Sequence, residues 1–449
     1  MVDSARNLRG LYFKSSAATG DSFSFAGAST LTIGRGGITN YDADPQNFSA
    51  PITLGSHQYW DAGPGGLNLA AINTNGKLLE IRTGGTTTIS GAVSGNGSLA
   101  LSSGVLVLSG NSTFSGPSWV HEGTLRVTGS AASSSSLILG STATIEGYGQ
   151  AAVIEGSGTV SPGPNRTILT SPSLDPSGGL DFAFEFTGAS PPQFATASSS
   201  TNDLLRLTGA TPFAFPLSAS NRIAIYLDAG ALAAGQVFRG GLFTDQAADF
   251  ISALNGASFE IYVADPAGTV TFSGKTYAAY AGPLALVYST EAQPADFSGG
   301  TVNGRILQIE VRPDPASYEG WAWSAFPEGT PAEDRLPEAD PNGDGVTNLL
   351  ACALEIDPLA NPQGKLPSAT FDGGTSELVF RFRRNKSITS LTYEVYSSGD
   401  LQTWSLVNTT PIIVDADPDG DGTVEEVEVR VPLGSGESRI FARLRVTYP

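Results

Sequence analysis

The sequence has few of the residues that build disulfide frameworks and transition-metal sites. Its 449 residues include one cysteine, Cys352, and two histidines, which excludes an internal disulfide network and a thiolate metal cluster. No apolar run approaches the ~18–20 residues of a membrane-spanning helix, so we expect no membrane insertion within this chain. Lys and Arg number 24 against 43 Asp and Glu, giving a net charge of −19. Nucleic acids attract clustered positive charge, so no nucleic-acid partner is expected.

The N-terminal third, in contrast, is rich in short strand patterns separated by glycine and serine turns. Leu99–Leu101, Val105–Leu108 and Thr124–Val127 are such patterns, and in the last one apolar and polar residues alternate, which indicates a half-buried strand. Strands this short bury a face only by stacking on copies of themselves, and recurrence about every 20 residues is typical of a β-solenoid. We therefore predict an all-β chain that begins with a right-handed parallel β-solenoid over residues 1–170. Its predicted inward residues are Leu99, Leu101, Leu106, Leu108, Leu125, Val127, Leu137 and Leu139.

This part of the sequence resembles a known repeat of bacterial surface proteins. Residues 106–116 read LVLSGNSTFSG and residues 120–127 read VHEGTLRV, which is similar to the turn and strand of the autotransporter-associated β-strand repeat. The resemblance implies a passenger-type β-helix exposed outside the cell, and it implies no catalytic residues because the repeat pattern contains none. The N-terminus lacks the apolar segment of a signal peptide, so we expect a solenoid that is truncated at its N-terminus.

The repeat pattern fades in the middle of the chain. Residues 153–170 include Ser161–Gly163, a Ser-Pro-Gly segment of the kind that ends the array in the resembled proteins, and proline disfavours strand pairing. Residues 171–312 hold longer strand patterns, which predict a β-rich cap domain over the last coil. Within it we predict a loop at residues 189–201 and a short helix at Ala247–Leu254.

An acidic loop lies in residues 313–362, which we interpret as a helical hinge. The residues 318–326 predict a short helix that ends before Pro327, and Leu349–Ile356 predicts a second one. Between the two helices, oxygen-bearing residues are spaced as in an EF-hand-like or dockerin-like Ca²⁺ loop. The predicted Ca²⁺ ligands are Asp340, Asn342, Asp344, the backbone carbonyl of Val346, and Asn348.

One feature keeps an alternative open for this loop. Its twelfth position is Ala351, where a bidentate Glu belongs, so weak Ca²⁺ affinity is expected. The alternative is an Asx-rich turn that caps the following helix through Thr347 or Asn348.

The segment FPEGTPAEDRLPEADPNGDGVTNLLACALEIDPL also resembles the hinge before the C-terminal domain of large secreted surface proteins of the Verrucomicrobia type. That resemblance implies secretion, and the sequence departs from the usual Glu-Tyr at Ala351 and Cys352.

Residues 366–449 are predicted to form a small antiparallel β-sandwich of the immunoglobulin or fibronectin type III kind. This segment contains a second acidic run, which is the weaker Ca²⁺ candidate. Its twelfth position, Glu428, lies in an alternating strand, where a cross-strand pair with Arg381 or Arg383 is the simpler expectation. We therefore interpret the run as a hairpin turn. The residues of this weaker candidate are Asp417, Asp419, Asp421 and Thr423.

The remaining predicted ligand site is aromatic. His57, Tyr59 and Trp60 lie together at a coil corner, where they form either a sugar-stacking platform or ordinary corner packing. We expect a non-catalytic, secreted or cell-surface, structural or adhesin-like protein that is stabilised by Ca²⁺ and whose partner is an extracellular glycan or surface protein. The alternative is a polysaccharide-binding or polysaccharide-degrading β-helix protein. A lyase needs clustered carboxylates and a base, but the acids of residues 84–163 are only Glu122, Glu146 and Glu155.

Overall fold

The computed structural model is mostly β-structure and divides into two compact units. The first unit holds most of residues 1–310 and the second most of residues 311–449. The predicted loop 189–201 and the predicted helix Ala247–Leu254 lie outside the described residues. The structure describes residues 2–15, 20, 22–163, 166–186, 203–211, 213–228, 238–245, 256–280, 284–288, 296–297, 300–301, 305–311, 313–327, 329–362, 364–434 and 438–448.

The first unit is a parallel β-solenoid, as predicted. Its early strands are β1 (Arg6–Phe13), β2 (Ser24–Phe25), β3 (Leu31–Asn40), β4 (Gln46–Phe48), β5 (Ile52–Leu54), β6 (Gln58–Asp61), β7 (Leu67–Leu69), β8 (Ile72–Asn73), β9 (Leu78–Ile89), β10 (Val93–Ser94), β11 (Ser98–Leu108), β12 (Ser118–Val127), β13 (Leu137–Glu146), β14 (Ile154–Gly156) and β15 (Thr159–Val160). The later strands are β16 (Ile168–Ser171), β17 (Leu174–Asp175), β18 (Asp181–Phe186), β19 (Leu204–Leu207), β20 (Arg222–Leu227), β21 (Phe238–Asp245), β22 (Ser258–Ala264), β23 (Val270–Phe272), β24 (Lys275–Tyr280), β25 (Leu284–Tyr288), β26 (Asp296–Phe297), β27 (Gly300–Thr301) and β28 (Arg305–Val311). A 3₁₀ turn spans Pro176–Gly178.

The inward side chains of successive coils form continuous rows. Leu106 is in register with Leu125, Leu125 with Ile145, and Ile145 with Val160, and none of these four is more than 2% exposed. All eight predicted inward residues are buried, so the predicted register of the core is confirmed. Fully burying one such aliphatic side chain contributes roughly 1.5–3 kcal/mol, and the rows therefore account for how short strands hold together.

Glycine makes the corner between two sides of a coil. Gly104 and Gly123 occupy the same corner in successive coils, with φ of +89° and +82°. A Cβ atom added to Gly123 would lie 2.2 Å from the carbonyl oxygen of Gly104. The left-handed backbone and this close approach both require glycine, which explains the glycine before the Thr-Leu strand in the repeat.

Parallel stacking continues beyond residue 170, where the sequence repeats end. Phe182 pairs with Ile223 and Ile223 with Phe259 on one side of the coil. The spacing between rungs has grown from about 20 to roughly 40 residues, because longer connections are inserted. Pro162 does not interrupt the stack, since its carbonyl accepts a hydrogen bond from the Gly147 N–H at 2.9 Å.

A hairpin covers the outer face of these longer coils. β23 and β24 pair with each other and β24 pairs antiparallel with β22. The ring of Phe272 stacks on that of Tyr226 at 4.0 Å, and Tyr277 is completely buried beside them. β18 and β20 are consequently buried on both faces over most of their length. This explains the apolar run of β20, whereas β18 carries Glu185 among its phenylalanines. In the described residues, the predicted cap consists of lengthened coils and this hairpin.

The second unit is an antiparallel β-sandwich with two short helices packed on it. The helices are Tyr318–Ala325 and Asn348–Leu354, and a 3₁₀ turn spans Glu333–Arg335. The strands are β29 (Ser368–Asp372), β30 (Glu377–Asn385), β31 (Thr392–Ser398), β32 (Ser405–Leu406), β33 (Ile412–Asp415), β34 (Val424–Pro432) and β35 (Phe441–Thr447). They form a four-stranded sheet in the order β29-β30-β34-β33 and a three-stranded sheet in the order β32-β31-β35.

The second helix and the sandwich share one hydrophobic core. Phe380 and Phe382 of β30 point inward and pack with Val395 of the other sheet. Leu354 of the second helix joins the same cluster and is completely buried. The segment predicted as a hinge is therefore part of this folded unit. None of the helices in the described residues combines enough length with enough apolar character to span a bilayer.

Candidate functional site

The candidate Ca²⁺ loop, residues 340–348, is closed at its base by backbone and core contacts. The Asn348 N–H donates to the carbonyl of Ala339 at 2.8 Å, which joins the two ends of the loop. Val346 is 8% exposed and packs into the sandwich core. The loop is thereby fixed at its base while Asp340, Asn342 and Asp344 face solvent.

Asp340 organises the interior of this loop. Its Oδ1 accepts hydrogen bonds from the N–H groups of Gly343 at 3.0 Å and Asp344 at 3.2 Å, and its Oδ2 accepts one from Gly345 at 2.8 Å. Asp344 Oδ1 in turn accepts from the Val346 N–H at 2.8 Å. Asn342 Nδ2 donates to Asp344 Oδ2 at 2.9 Å. The three predicted side-chain ligands at the start of the loop are therefore held close together.

The structure does not bring Asn348 to that group. Its side chain is fully buried, and its Nδ2 donates to the carbonyls of Asp334 at 2.8 Å and Leu336 at 2.9 Å. The predicted role of Asn348 as a side-chain ligand is therefore corrected to one of anchoring the helix start to the preceding turn. Thr347 forms no side-chain cap either. Ala351 is completely buried in the core, so the twelfth position cannot supply a ligand.

The donor set that remains fits a hard cation bound weakly. Ca²⁺ takes six to eight oxygen ligands, and the loop offers the carboxylates of Asp340 and Asp344, the amide oxygen of Asn342 and the backbone carbonyl of Val346. Water must supply the rest, as it does in exposed sites of low affinity. No group of three or more His, Cys, Asp or Glu side chains arranged to hold a metal occurs in the described part of the chain.

The second acidic run is a hairpin connection between β33 and β34, as predicted. Asp419 already has a cation, because Arg383 Nη1 donates to its Oδ1 at 3.0 Å and Lys365 Nζ lies 3.7 Å away. The hydrogen bonds from Arg383 lower the pKa of Asp419. Asp421 Oδ1 accepts from the hydroxyl of Thr423 at 2.6 Å. The positive guanidinium of Arg383 therefore lies at the middle carboxylate of this run, where it opposes the binding of a second cation.

Glu428 is engaged in the strand, away from that hairpin. Arg381 donates to its Oε2 from Nε at 3.0 Å and from Nη2 at 2.8 Å, and the two residues face each other across β30 and β34. The expected cross-strand pair with Arg381 is confirmed.

The aromatic group is divided between the two faces of β6. Trp60 is completely buried, and its Nε1 donates to Oε1 of Gln58 at 2.7 Å. Tyr59 points outward with 46% of its surface exposed, and His57 Nδ1 accepts from the Leu78 N–H at 3.0 Å. The predicted ligand role of Trp60 is therefore corrected, because neighbouring residues in a strand point to opposite faces. Tyr59 and His57 both remain exposed.

The structure also assembles an ionic cluster that the sequence analysis missed. Lys275 Nζ lies 2.8 Å from Glu185 Oε1 and 2.8 Å from Asp228 Oδ1. Arg166 Nη1 lies 3.1 Å from Asp228 and 3.6 Å from Glu185. The Glu185 side chain is 3% exposed, whereas Lys275 is 42% exposed. The cluster therefore links a buried carboxylate to the surface through two cations.

A second buried carboxyl group supports this cluster from inside. Asp203 is completely buried and accepts the N–H groups of Thr167 at 2.8 Å and Glu185 at 2.7 Å. Burial raises the pKa of Asp203 well above its ordinary value. Burial also raises the pKa of Tyr277 to about 12, with Glu185 adding to the shift. These groups come from four different coil segments and the hairpin, so no local sequence motif marks them.

A comparison of the chain with known protein families, curated proteins and solved structures finds no match to any of the three. The resemblance of the repeats and of the acidic segment to surface proteins therefore stays a prediction.

Proposed function

We propose that this chain is a non-catalytic structural or adhesin-like protein, secreted or displayed on the outer surface of a bacterium and stabilised by Ca²⁺. The observation that carries the proposal is the parallel stack from β1 to β22, in which each coil is hydrogen-bonded to its neighbours. Acidic composition and the resemblance of the repeats to passenger proteins support the location outside the cell.

Outward charged groups on the short coils support a scaffold role because they bond to the next coil. Arg126 Nε donates to Glu146 Oε1 at 2.6 Å, and the Ser102 hydroxyl donates to Glu80 Oε1 at 2.6 Å. Arg82 forms an ion pair with Asp61 of the preceding coil. Each exposed contact of this kind contributes roughly 0–1 kcal/mol, and repetition along the stack adds to its rigidity.

Exposed aromatic rings on the first coils support an adhesive role. Tyr12 is 61% exposed and Tyr41 is 47% exposed, and their ring centroids lie 5.3 Å apart in an edge-to-face arrangement. Tyr59 adds a third exposed ring on a neighbouring coil. Amphipathic rings of this kind give apolar faces on which sugars or another protein can pack, so the proposed partner is an extracellular glycan or a surface protein.

The loop at residues 340–348 supports the role proposed for Ca²⁺. A cation bound by Asp340 and Asp344 would reduce their mutual repulsion and hold the base of the second helix against the sandwich. Extracellular Ca²⁺ is abundant enough to fill sites with Kd ~10⁻⁴–10⁻³ M, which suits a weak site in a surface protein.

The ionic cluster does not favour the enzymatic alternative. A lyase or hydrolase needs a base and an acid that reach the substrate, whereas Glu185 is almost fully buried and both Glu185 and Asp228 are bound by cations. These charges neutralise one another between coils, so a stabilising role accounts for them.

Antibody labelling of cells that express the protein tests this proposal. We expect an antibody against the sandwich to label intact cells or to detect the chain in the medium. We also expect deletion of the chain to reduce attachment to polysaccharide-coated surfaces. Labelling that appears only after permeabilisation would refute the location, and unchanged attachment would refute the adhesive role.

A further inference from the structure

One edge of the sandwich is exposed and apolar. β33 is the terminal strand of the four-stranded sheet and pairs on one side with β34. Within the residues that are described, no strand pairs with its other side. Ile412, Ile413 and Val414 are 54%, 53% and 41% exposed. Native sheet edges are usually charged, very short or covered, so three consecutive exposed β-branched residues call for a partner.

Ile413 is an uncovered continuation of the hydrophobic core. It lies opposite Val427, which lies opposite Phe382, and those two residues are 0% and 3% exposed. The four-stranded sheet faces a sheet of only three strands. The row formed by Phe382, Val427 and Ile413 therefore extends beyond the three-stranded sheet that covers the core. A strand added beside β33 would cover part of the exposed Ile413 side chain at the end of this row.

The far end of β33 carries negative charge without a matching cation. Asp415, Asp417 and Asp421 form no ion pair with Lys or Arg among the described side chains, because Arg383 and Lys365 pair with Asp419. Lys386 lies nearby but donates to the carbonyl of Ala416. A ligand on this edge thus meets apolar side chains at one end and uncompensated carboxylates at the other.

We propose that β33 is a docking edge for an extended segment of another protein, with apolar residues at alternate positions and Lys or Arg at the end that meets Asp415 and Asp421. Main-chain hydrogen bonds would add this segment as a strand, and the apolar side chains and carboxylates of the edge would select it. Charge complementarity favours this occupant over a second copy of the chain, which carries a net charge of −19. A four-residue strand also buries far less than the ~1,200 Å² of a stable dimer interface.

Fluorescence anisotropy of labelled peptides on the full chain tests this proposal. The probes are KKVTVTV, its charge-reversed form EEVTVTV, and KKVPVPV, whose two prolines lack the N–H groups needed for ladder hydrogen bonds at their positions. We expect KKVTVTV to bind at least about tenfold more tightly than EEVTVTV at low salt, and this preference to shrink near 0.5 M salt because screening weakens exposed charge pairs. KKVPVPV should bind more weakly than KKVTVTV, because proline weakens strand pairing.

Matched variants locate the binding to this edge. Ile413→Lys should weaken KKVTVTV binding at least about tenfold. Phe371→Lys is the control, because Phe371 is 55% exposed on β29, the opposite edge of the same sheet, and it should leave binding unchanged. Asp415→Asn should reduce the preference for KKVTVTV over EEVTVTV. Absence of peptide binding, or equal binding by Ile413→Lys and the unmodified chain, would overturn the proposal. Reversible dimerisation that Ile413→Lys abolishes would assign the edge to a second copy and overturn it as well.

Discussion

Leu125 gives the sharpest test of the solenoid core, because it lies in the middle of a continuous inward row. It is 2% exposed and sits between Leu106 and Ile145 of the adjacent coils. Removing a buried Leu side chain costs roughly 2–5 kcal/mol, and burying a carboxylate without a partner costs several kcal/mol more. The free-energy cost of Leu125→Asp is therefore comparable with the ~5–15 kcal/mol free energy of unfolding of a typical domain.

Hydrogen exchange followed by mass spectrometry is the suitable assay, because stability in a stack of repeats is largely a sum of neighbouring contacts. We expect Leu125→Asp to abolish protection in β11, β12 and β13, while peptides from the sandwich keep their protection and serve as an internal reference. Leu125→Ala should lower protection in the same strands without unfolding the chain. Thr124→Asp, a half-buried outward neighbour in the same strand, should change stability by no more than about 0.5 kcal/mol. Equal protection in Leu125→Asp and the unmodified chain would refute the assigned register.

Two further predictions concern the carboxylates. Calorimetry should show Ca²⁺ binding to the unmodified chain with Kd ~10⁻⁴–10⁻³ M. The binding signal should be lost in Asp344→Ala and retained in Asp421→Ala. Loss of the signal only in Asp421→Ala would contradict the assignment of the site to residues 340–348. For Asp203, burial raises the pKa in the folded state, so its contribution to stability is present below the unfolded pKa of ~3.9 and is lost as pH rises through the folded value. The urea midpoint of the unmodified chain should therefore fall as the pH rises, and it should fall less in Asp203→Asn. An equal fall in both proteins would show that the Asp203 carboxyl does not cause this pH dependence.

Local patterns predicted the parts of the fold that depend on local geometry. Alternation predicted the inward row through Leu125, because side chains alternate between the faces of a strand. The same rule could have separated Tyr59 from Trp60, since adjacent strand residues never share a face. The spacing of Asp340, Asn342 and Asp344 likewise predicted their proximity, because the loop that joins them is short.

Features that depend on distant parts of the chain could not be predicted in this way. Stacking continues through Phe182 and Ile223 although no short repeat links them, because the connection between these rungs has lengthened. Arg166, Glu185 and Lys275 meet only after successive coils and the hairpin have packed. Asn348 fits the ligand spacing of the loop. Its side-chain amide instead donates to the backbone carbonyls of Asp334 and Leu336, which the ligand spacing does not reveal.

The most direct test of the central claim is a turnover measurement on the full chain with acidic and neutral polysaccharides in the presence of Ca²⁺. Products are followed by the ultraviolet absorbance of unsaturated uronates and by new reducing ends, with Lys275→Ala as the matched control because it disrupts the ionic cluster of the solenoid. A scaffold protein predicts no product beyond that of the control. Steady product formation by the unmodified chain that disappears in Lys275→Ala would contradict the account and identify the cluster as catalytic.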